Sequence, residues 1–331
     1  MINIILNNRC SQHSCIGSSI RSYSKITPYI EKGTSYELAS VMETIYNVAF
    51  NEVNFSAFDR ESDIILDEVK SGRYLLSPIR VEFIRNADLQ TYLMQIGPKC
   101  VSYYFVIPSG TSPDESIVFR ADFRDTLVLM GLAQILFDLS ICACRPPEEE
   151  RVGASINHIV GNFYNSFKAM GRVNQLHRVH ILFPLPNDIM LHGVKHYVDD
   201  ALFSLISQFL SLPCLTEDGY DVREVTPFPP LGELYRVILN IAMIQSFDHY
   251  MESHHPSLPY SRHICQVFLG LSSEKGKMDE VKKMVKEALG SEKIAFTHIC
   301  VYPGDKPVSC YGRREVSIEE RSLKVIIKEK E

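Results

Sequence analysis

Short strand-like runs alternate with longer helix-like stretches along the chain, and this alternation most limits the folds open to it. Strand patterns occur at residues 80–85, 101–107, 179–183, 264–269, 296–301 and 308–311. Helical spacing of apolar residues occurs at residues 35–50, 59–70, 124–139, 188–197, 199–212, 234–251 and 278–289. The pattern predicts an α+β fold in which small mixed sheets pack with helices.

Composition excludes several classes of protein. The chain has 331 residues, of which 45% are hydrophobic and 22% charged, so it can form one large or two modest domains with a real core. Its apolar stretches are shorter than the roughly 20 residues that a membrane span needs. We therefore expect no membrane-spanning helix. Nine cysteines without framework spacing favour reduced thiols over disulfides. The net charge of −6 makes the chain a poor general phosphate binder.

The N-terminal segment has the composition of an organellar transit peptide. Residues 1–25 contain Arg9, Arg21 and Lys25, six serines and no acidic residue. Arg21 also stands three residues before Ser24, as in mitochondrial processing sites. We therefore expect residues 1–23 to be a mitochondrial transit peptide and the mature chain to begin near Ser24, in the matrix. An ordinary disordered N-terminus is the alternative.

Five local motifs follow one another in a fixed order. They lie at residues 67–74 with 77–80 (a "KSGRY" turn before "SPIR"), 124–128 ("RDTLV"), 187–191 with 198–202, 226–227 with 240–241, and 260–262 with 268–270. Together with the order of helices and strands, they resemble the fingers and palm of group II intron maturases, the intron-encoded reverse transcriptases. The resemblance covers about residues 35 to 315. The alternative is an unrelated α+β protein in which residues 70–74 are an ordinary helix stop.

The resemblance implies a particular domain organisation. Residues 24–150 would form a fingers-like subdomain and residues 151–331 a palm-like subdomain. The chain ends soon after the palm, so the thumb or maturase domain of the family would be absent.

The catalytic residues of that family are missing from the matching positions. Polymerases need carboxylates converging on two magnesium ions. The resemblance puts the first-strand aspartate at His177 and the aspartates of the catalytic hairpin at Cys265 and Gln266. The glycines that shape the nucleotide pocket are replaced at residues 228–230 by Phe-Pro-Pro, whose bulk prevents close backbone approach. We therefore expect no polymerase activity, no bound metal and no cofactor.

Two functions remain open. The first is a non-catalytic protein that binds mitochondrial RNA and assists group II intron splicing or other RNA maturation. Its RNA-binding residues would be the arginines that could line the template channel: Arg73, Arg80, Arg85, Arg120 and Arg124. The second is a structural subunit of a large mitochondrial assembly, such as a ribosome or a respiratory complex, which the acidic charge and missing thumb favour. Either function implies other mitochondrial proteins as partners.

Two other groups of residues could bind a ligand but are better explained as solvent-exposed surface residues. His192 and His196 are one helical turn apart and could ligate a metal, although surface positions suit them better. Lysines at residues 275–286 could touch RNA, but interleaved acidic residues favour a solvated helix face.

Overall fold

A computed structural model describes residues 33–50, 62–95, 104–108, 112–142, 175–182, 185–222, 233–263, 265–271, 278–291, 294–310, 314–319 and 322–327. The expected transit peptide, residues 1–23, and the expected start at Ser24 lie outside these ranges. So do residues 228–230. The described residues form helices and small sheets, which confirms the α+β class.

The helices are α1 (Ser35–Phe50), α2 (Ser62–Lys70), α3 (Leu89–Gln95), α4 (Phe123–Cys142), α5 (Asn187–Val194), α6 (Asp200–Ser211), α7 (Glu233–Met243), α8 (His249–His254) and α9 (Met278–Ala288). A π-helical segment, Ile244–Asp248, joins α7 to α8. The strands are β1 (Ile79–Arg85), β2 (Tyr104–Pro108), β3 (Glu115–Arg120), β4 (Gln175–Ile181), β5 (Cys214–Leu215), β6 (Tyr260–His263), β7 (Gln266–Leu271), β8 (Phe296–Val301), β9 (Val308–Cys310), β10 (Arg314–Glu319) and β11 (Ser322–Ile327).

The chain divides into two compact units. The first unit combines Met1–Ala143 with Val194–Ile238, and the second combines Cys144–Gly193 with Leu239–Glu331. This division into units reflects compactness alone. The functional division at residue 150 stays a prediction.

The first unit is built around α4. Every residue of α4 from position 125 to position 140 is buried, as expected for a helix that is apolar on all sides. Helix α1 packs closely at Gly131, where a Cβ atom would lie 2.9 Å from side-chain atoms of Leu38 and Met42. The sheet of this unit has the order β2-β3-β1-β5, with β1 antiparallel to β3 and parallel to β5.

Asp199 joins the starts of two helices in the first unit. Its carboxylate caps α6 by accepting a hydrogen bond from the Leu202 amide at 2.8 Å, and it also accepts one from the Ser35 amide at the start of α1. Backbone hydrogen bonds between Gly33 and the chain at Tyr197 and Asp199 hold the two starts together. The side chain is therefore occupied in capping.

The second unit contains two sheets. The larger one is antiparallel throughout, with the order β6-β7-β4-β8, and the smaller one has the order β11-β10-β9. One face of the larger sheet is buried. On β4 this face consists of Gln175, His177, Val179 and Ile181.

Close helix packing also shapes the second unit. A Cβ atom on Gly193 of α5 would lie 2.5 Å from the Ala242 backbone of α7, so only glycine fits between these helices. In the described ranges, no helix is both long and apolar enough to cross a membrane.

Candidate functional site

The "KSGRY" segment is a helix stop of the Schellman type. Gly72 has a positive φ of 67°. Its amide donates to the Val69 carbonyl, and the Arg73 amide donates to the Glu68 carbonyl. This pair of bonds closes the end of α2 and requires a left-handed residue at position 72, which glycine supplies. The first motif therefore has a complete local explanation.

The tyrosine of this motif links it to the second motif. The Tyr74 hydroxyl donates a hydrogen bond to Asp125 Oδ1 at 2.8 Å, and the Ser77 amide donates to Asp125 Oδ2 at 2.8 Å. Burial raises the pKa of the Asp125 carboxyl, while these hydrogen bonds favour its ionised form and limit the rise. Burial, and then the charge of Asp125, raise the pKa of the Tyr74 hydroxyl. Residues 67–80 and the start of α4 thus form one interlocked cluster.

Four of the five arginines predicted to bind RNA are already paired with carboxylates. Arg124 forms an ion pair with Glu68 and lies over the Tyr74 ring, 5.3 Å from its centre. The other three pairs are Arg80 with Asp122 at 2.8 Å, Arg85 with Asp88 at 2.7 Å, and Arg120 with Glu82 at 3.3 Å. Arg73 donates to Ser71 Oγ at 2.9 Å. The structure therefore neutralises most of this predicted surface.

The strands that the resemblance equates with the metal-binding strands are neighbours in the second unit. Strand β4 pairs with β7, the second strand of the β6–β7 hairpin. The turn of the hairpin contacts β4 directly, since the Ile181 amide donates to the Cys265 carbonyl at 2.9 Å. Gln266 is paired with His180, whereas His177 is paired with Leu269. The β4 side chain beside the hairpin turn is therefore that of His180, which the sequence reasoning missed.

His177 lies on the buried face instead, in a small polar cluster. Its Nε2 is 3.1 Å from Gln175 Oε1 and 3.7 Å from Cys300 Sγ, and its Nδ1 is 2.9 Å from His298 Nε2. Because an amide oxygen only accepts, Nε2 of His177 carries the proton and Nδ1 accepts from His298. Burial, and then the nearby His298, lower the pKa of His177 to about 4, so the ring is neutral at physiological pH.

The opposite face of the same three strands is only partly accessible, because Leu176, Phe268 and Val301 on it are buried. His180 stands between Gln266 of β7 and Thr297 of β8. Arg178, two residues earlier on β4, stands between Phe268 and Ile299. Thr297 and Ile299 are exposed, and Arg178, His180 and Gln266 are half-buried. No residue of β4, β6, β7 or β8 is an aspartate or glutamate, so these strands offer no carboxylate to a metal ion.

Cys265 does not have the properties of a reactive thiol. The side chain is buried, and burial raises its pKa to about 12. The nucleophilic form of cysteine is the thiolate, so this thiol is unreactive at physiological pH.

A buried carboxylate of the π-helical segment is held by an arginine of β6. Asp248, in the π-helical segment, accepts from Arg262 Nε at 2.9 Å and from Nη2 at 2.6 Å, while Arg262 Nη1 donates to Asn240 Oδ1 at 3.1 Å. Arg262 is 0% exposed and Asp248 is 1% exposed. Phe247 packs edge-on against Tyr260 at 6.2 Å between ring centres, so two contacts fix β6 to the π-helical segment. Periodicity did not reveal this pair.

Potential metal ligands outside the sheet are scattered. Among the residues that the structure describes, no group of three or more His, Cys, Asp or Glu side chains is arranged to hold a metal ion. His192 and His196 are exposed on or near α5. The lysines of α9 alternate with acids, as in the pairs Lys282 with Asp279 and Lys283 with Glu287.

The fold and the site define the chain as an α+β protein with a four-stranded antiparallel sheet that has no carboxylate on its strands. No protein-family model matches the sequence, and a search of curated proteins finds no match either.

Proposed function

We propose that the chain is a non-catalytic relative of the group II intron maturases that binds mitochondrial RNA and assists intron splicing or RNA maturation. The observation that carries the proposal is the pairing of β4 with the β6–β7 hairpin. Two segments about 90 residues apart, which the resemblance equates with the two catalytic strands, lie side by side. The hairpin turn contacts the end of β4 through the Ile181 to Cys265 hydrogen bond.

A second observation supports the same relationship. The motifs at residues 67–80 and 124–128 were recognised separately, yet Tyr74, Ser77 and Asp125 bring them into one cluster. The two motifs therefore belong to one structural cluster, as their joint occurrence in the family would require.

The proposed protein does not polymerise nucleotides. The two-metal mechanism needs carboxylates to hold ions beside the attacking and leaving oxygens. His180, Cys265 and Gln266 stand where β4 meets the hairpin, and none of them carries a carboxylate.

A specific observation favours the second candidate, a structural subunit of a mitochondrial ribosome or respiratory complex. The ion pairs of Arg80, Arg85, Arg120 and Arg124 reduce the positive charge that this part of the surface offers to RNA. Exposed ion pairs are weak, at about 1 kcal/mol or less, so phosphates could displace the carboxylates. The pairs therefore weaken the RNA proposal without removing it.

Ultraviolet crosslinking in intact mitochondria separates the two candidates. The protein would be purified under denaturing conditions, so that only covalently attached RNA remains, and that RNA would be sequenced. We expect fragments of transcripts with group II introns to be enriched over ribosomal RNA. A mitochondrial protein of similar abundance with no RNA contact is the control. Ribosomal RNA alone, or no RNA above the control, would favour the structural subunit.

A further inference from the structure

Strand β8 is an edge strand of the larger sheet, and its only strand neighbour in the described part of the chain is β4. The Leu182 amide donates to the Ala295 carbonyl at 2.8 Å, which continues the register of these two strands. Hydrogen-bonded pairs alternate with non-bonded pairs in an antiparallel ladder. The backbone groups of Phe296, His298 and Cys300 therefore point away from β4, towards the outer edge of the sheet.

This outer edge has no partner in the described ranges. No described strand or loop forms a backbone hydrogen bond with the outward groups of residues 296–300. The free edge ends at the following turn, because the Tyr302 amide and carbonyl both form hydrogen bonds with Asp305. A row of unpaired amides and carbonyls is a template on which another strand can form.

The other edge strands in the described ranges have features that discourage pairing. Strand β2 ends in Pro108, β11 contains Lys324, and β5, β6 and β9 have only two to four residues. Strand β8 has six residues, and none of them is a lysine, an arginine, an acid or a proline. Short length, lysine and proline are the usual means of protecting an edge. Among these strands, β8 is therefore the most open to pairing.

The side chains of β8 are compatible with pairing to a second copy of the same strand. In an antiparallel pair centred on His298, Phe296 lies opposite Cys300 of the second copy. Thr297 lies opposite Ile299, and both are exposed β-branched residues, which stabilise a sheet when they face each other. His298 faces its own copy. Burial lowers the pKa of His298, so both rings are neutral at physiological pH and no like charges meet.

We infer that two copies of the chain pair through β8, antiparallel and centred on His298, so that their larger sheets join into one. The arrangement has the twofold symmetry that most homodimers have. Phe296, His298 and Cys300 then exchange two backbone hydrogen bonds with each opposite residue. A second copy fits this edge because the outward groups are spaced evenly about His298, and an uncharged strand offers no charge that would select a foreign partner. The inference does not depend on the proposed function.

The test measures self-association of the full-length chain by sedimentation velocity. Concentrations run from about 1 to 100 µM, which spans weak to moderate dimers. Thr297→Lys with Ile299→Lys places lysine opposite lysine in the proposed pair. Ser253→Lys with Ser257→Lys adds the same charges at exposed positions outside the sheet and is the matched control. Circular dichroism checks that both variants are folded.

We expect the wild type and the control to form dimers with similar dissociation constants. The β8 lysine variant should dimerise at least about tenfold more weakly, because like charges directly opposite each other destabilise a pair of strands. Thr297→Glu with Ile299→Glu should be weakened for the same reason. An equimolar mixture of the lysine and glutamate variants should form dimers again, since every lysine then faces a glutamate.

Hydrogen exchange followed by mass spectrometry locates the contact. Residues 294–302 should exchange more slowly at high than at low concentration in the wild type, and at the same rate in the lysine variant. A wild type that stays monomeric over the whole range would overturn the inference. A dimer that the lysine and glutamate variants both leave unchanged would also overturn it, because that dimer would use another surface. RNA is absent from these measurements, so neither result bears on the proposed function.

Discussion

Replacing Asp248 with alanine is expected to lower the free energy of unfolding by about 3–5 kcal/mol. The substitution leaves the Arg262 guanidinium, which is 0% exposed, with the Asn240 amide oxygen and without the carboxylate that neutralises it. A charge that is buried without a counter-charge is costly because water cannot solvate it. Urea unfolding followed by circular dichroism measures the loss.

Asp122→Ala is the matched control, because it removes the carboxylate of a surface ion pair. The side chains of Arg80 and Asp122 are 59% and 36% exposed, so this change should cost less than about 1 kcal/mol. Replacing Arg262 and Asp248 together with methionine and leucine should restore most of the stability lost by Asp248→Ala. Similar small losses for Asp248→Ala and Asp122→Ala would show that Arg262 is solvated.

Acidification is expected to destabilise the second unit through His177. The unfolded chain binds a proton at this residue with the ordinary pKa near 6.5, but the folded chain does so only near 4. The stability contributed by the neutral ring is therefore complete above about pH 6.5 and is lost as the pH falls towards about 4. The loss from this ring is up to roughly 3 kcal/mol. A proton on His177 Nδ1 would also face the Nε2–H of His298 and break their hydrogen bond.

The measurement is the slope of the unfolding free energy against pH over this interval. His177→Gln should flatten the slope relative to the wild type, because the residue that gains the proton on unfolding is gone. His254→Gln, at an exposed position of α8, is the matched control for loss of a histidine. A slope in His177→Gln equal to that of the wild type would mean that His177 is not held neutral by the fold.

Helices could be predicted wherever apolar residues kept helical spacing along a continuous stretch of sequence. The helix predicted at residues 35–50 is α1, with the same ends, and the stretch at residues 124–139 is α4, which extends to Phe123 and Cys142. The stretch at residues 234–251 is interrupted by the π-helical segment Ile244–Asp248. Periodicity did not reveal that segment, because the π-helical stretch is a single short turn inside an otherwise helical run.

Strands were harder to predict because their pairing depends on distant residues. The single strand predicted at residues 264–269 is wrong in part, since the chain turns there and forms β6 and β7. Strand β3, the central partner of β1 and β2, was missed, and so was the hairpin of β10 and β11. In β3 the neighbouring residues Val118 and Phe119 are both buried, so this strand lacks the strict alternation that would have indicated it.

The sequence could suggest which two segments meet but not the register in which they pair. Counting along the chain pointed to His177, whereas the antiparallel register places His180 beside Gln266. An offset of three residues also moves a side chain to the other face of the sheet. The ion pairs of the arginines were equally hidden, because Arg120 and Glu82 or Arg124 and Glu68 are far apart in sequence. The missing carboxylates, by contrast, were a property of the sequence itself.

A single reaction tests the central claim, that the chain binds RNA and does not copy it. Purified full-length protein is mixed with a labelled primer on an RNA template, magnesium and all four deoxynucleotides, and bound RNA and extended primer are measured from the same sample. An active reverse transcriptase and a buffer blank bracket the signal. RNA should be bound while primer extension equals the blank. Extension above the blank would contradict the loss of catalysis, and no bound RNA at low salt would contradict the binding function.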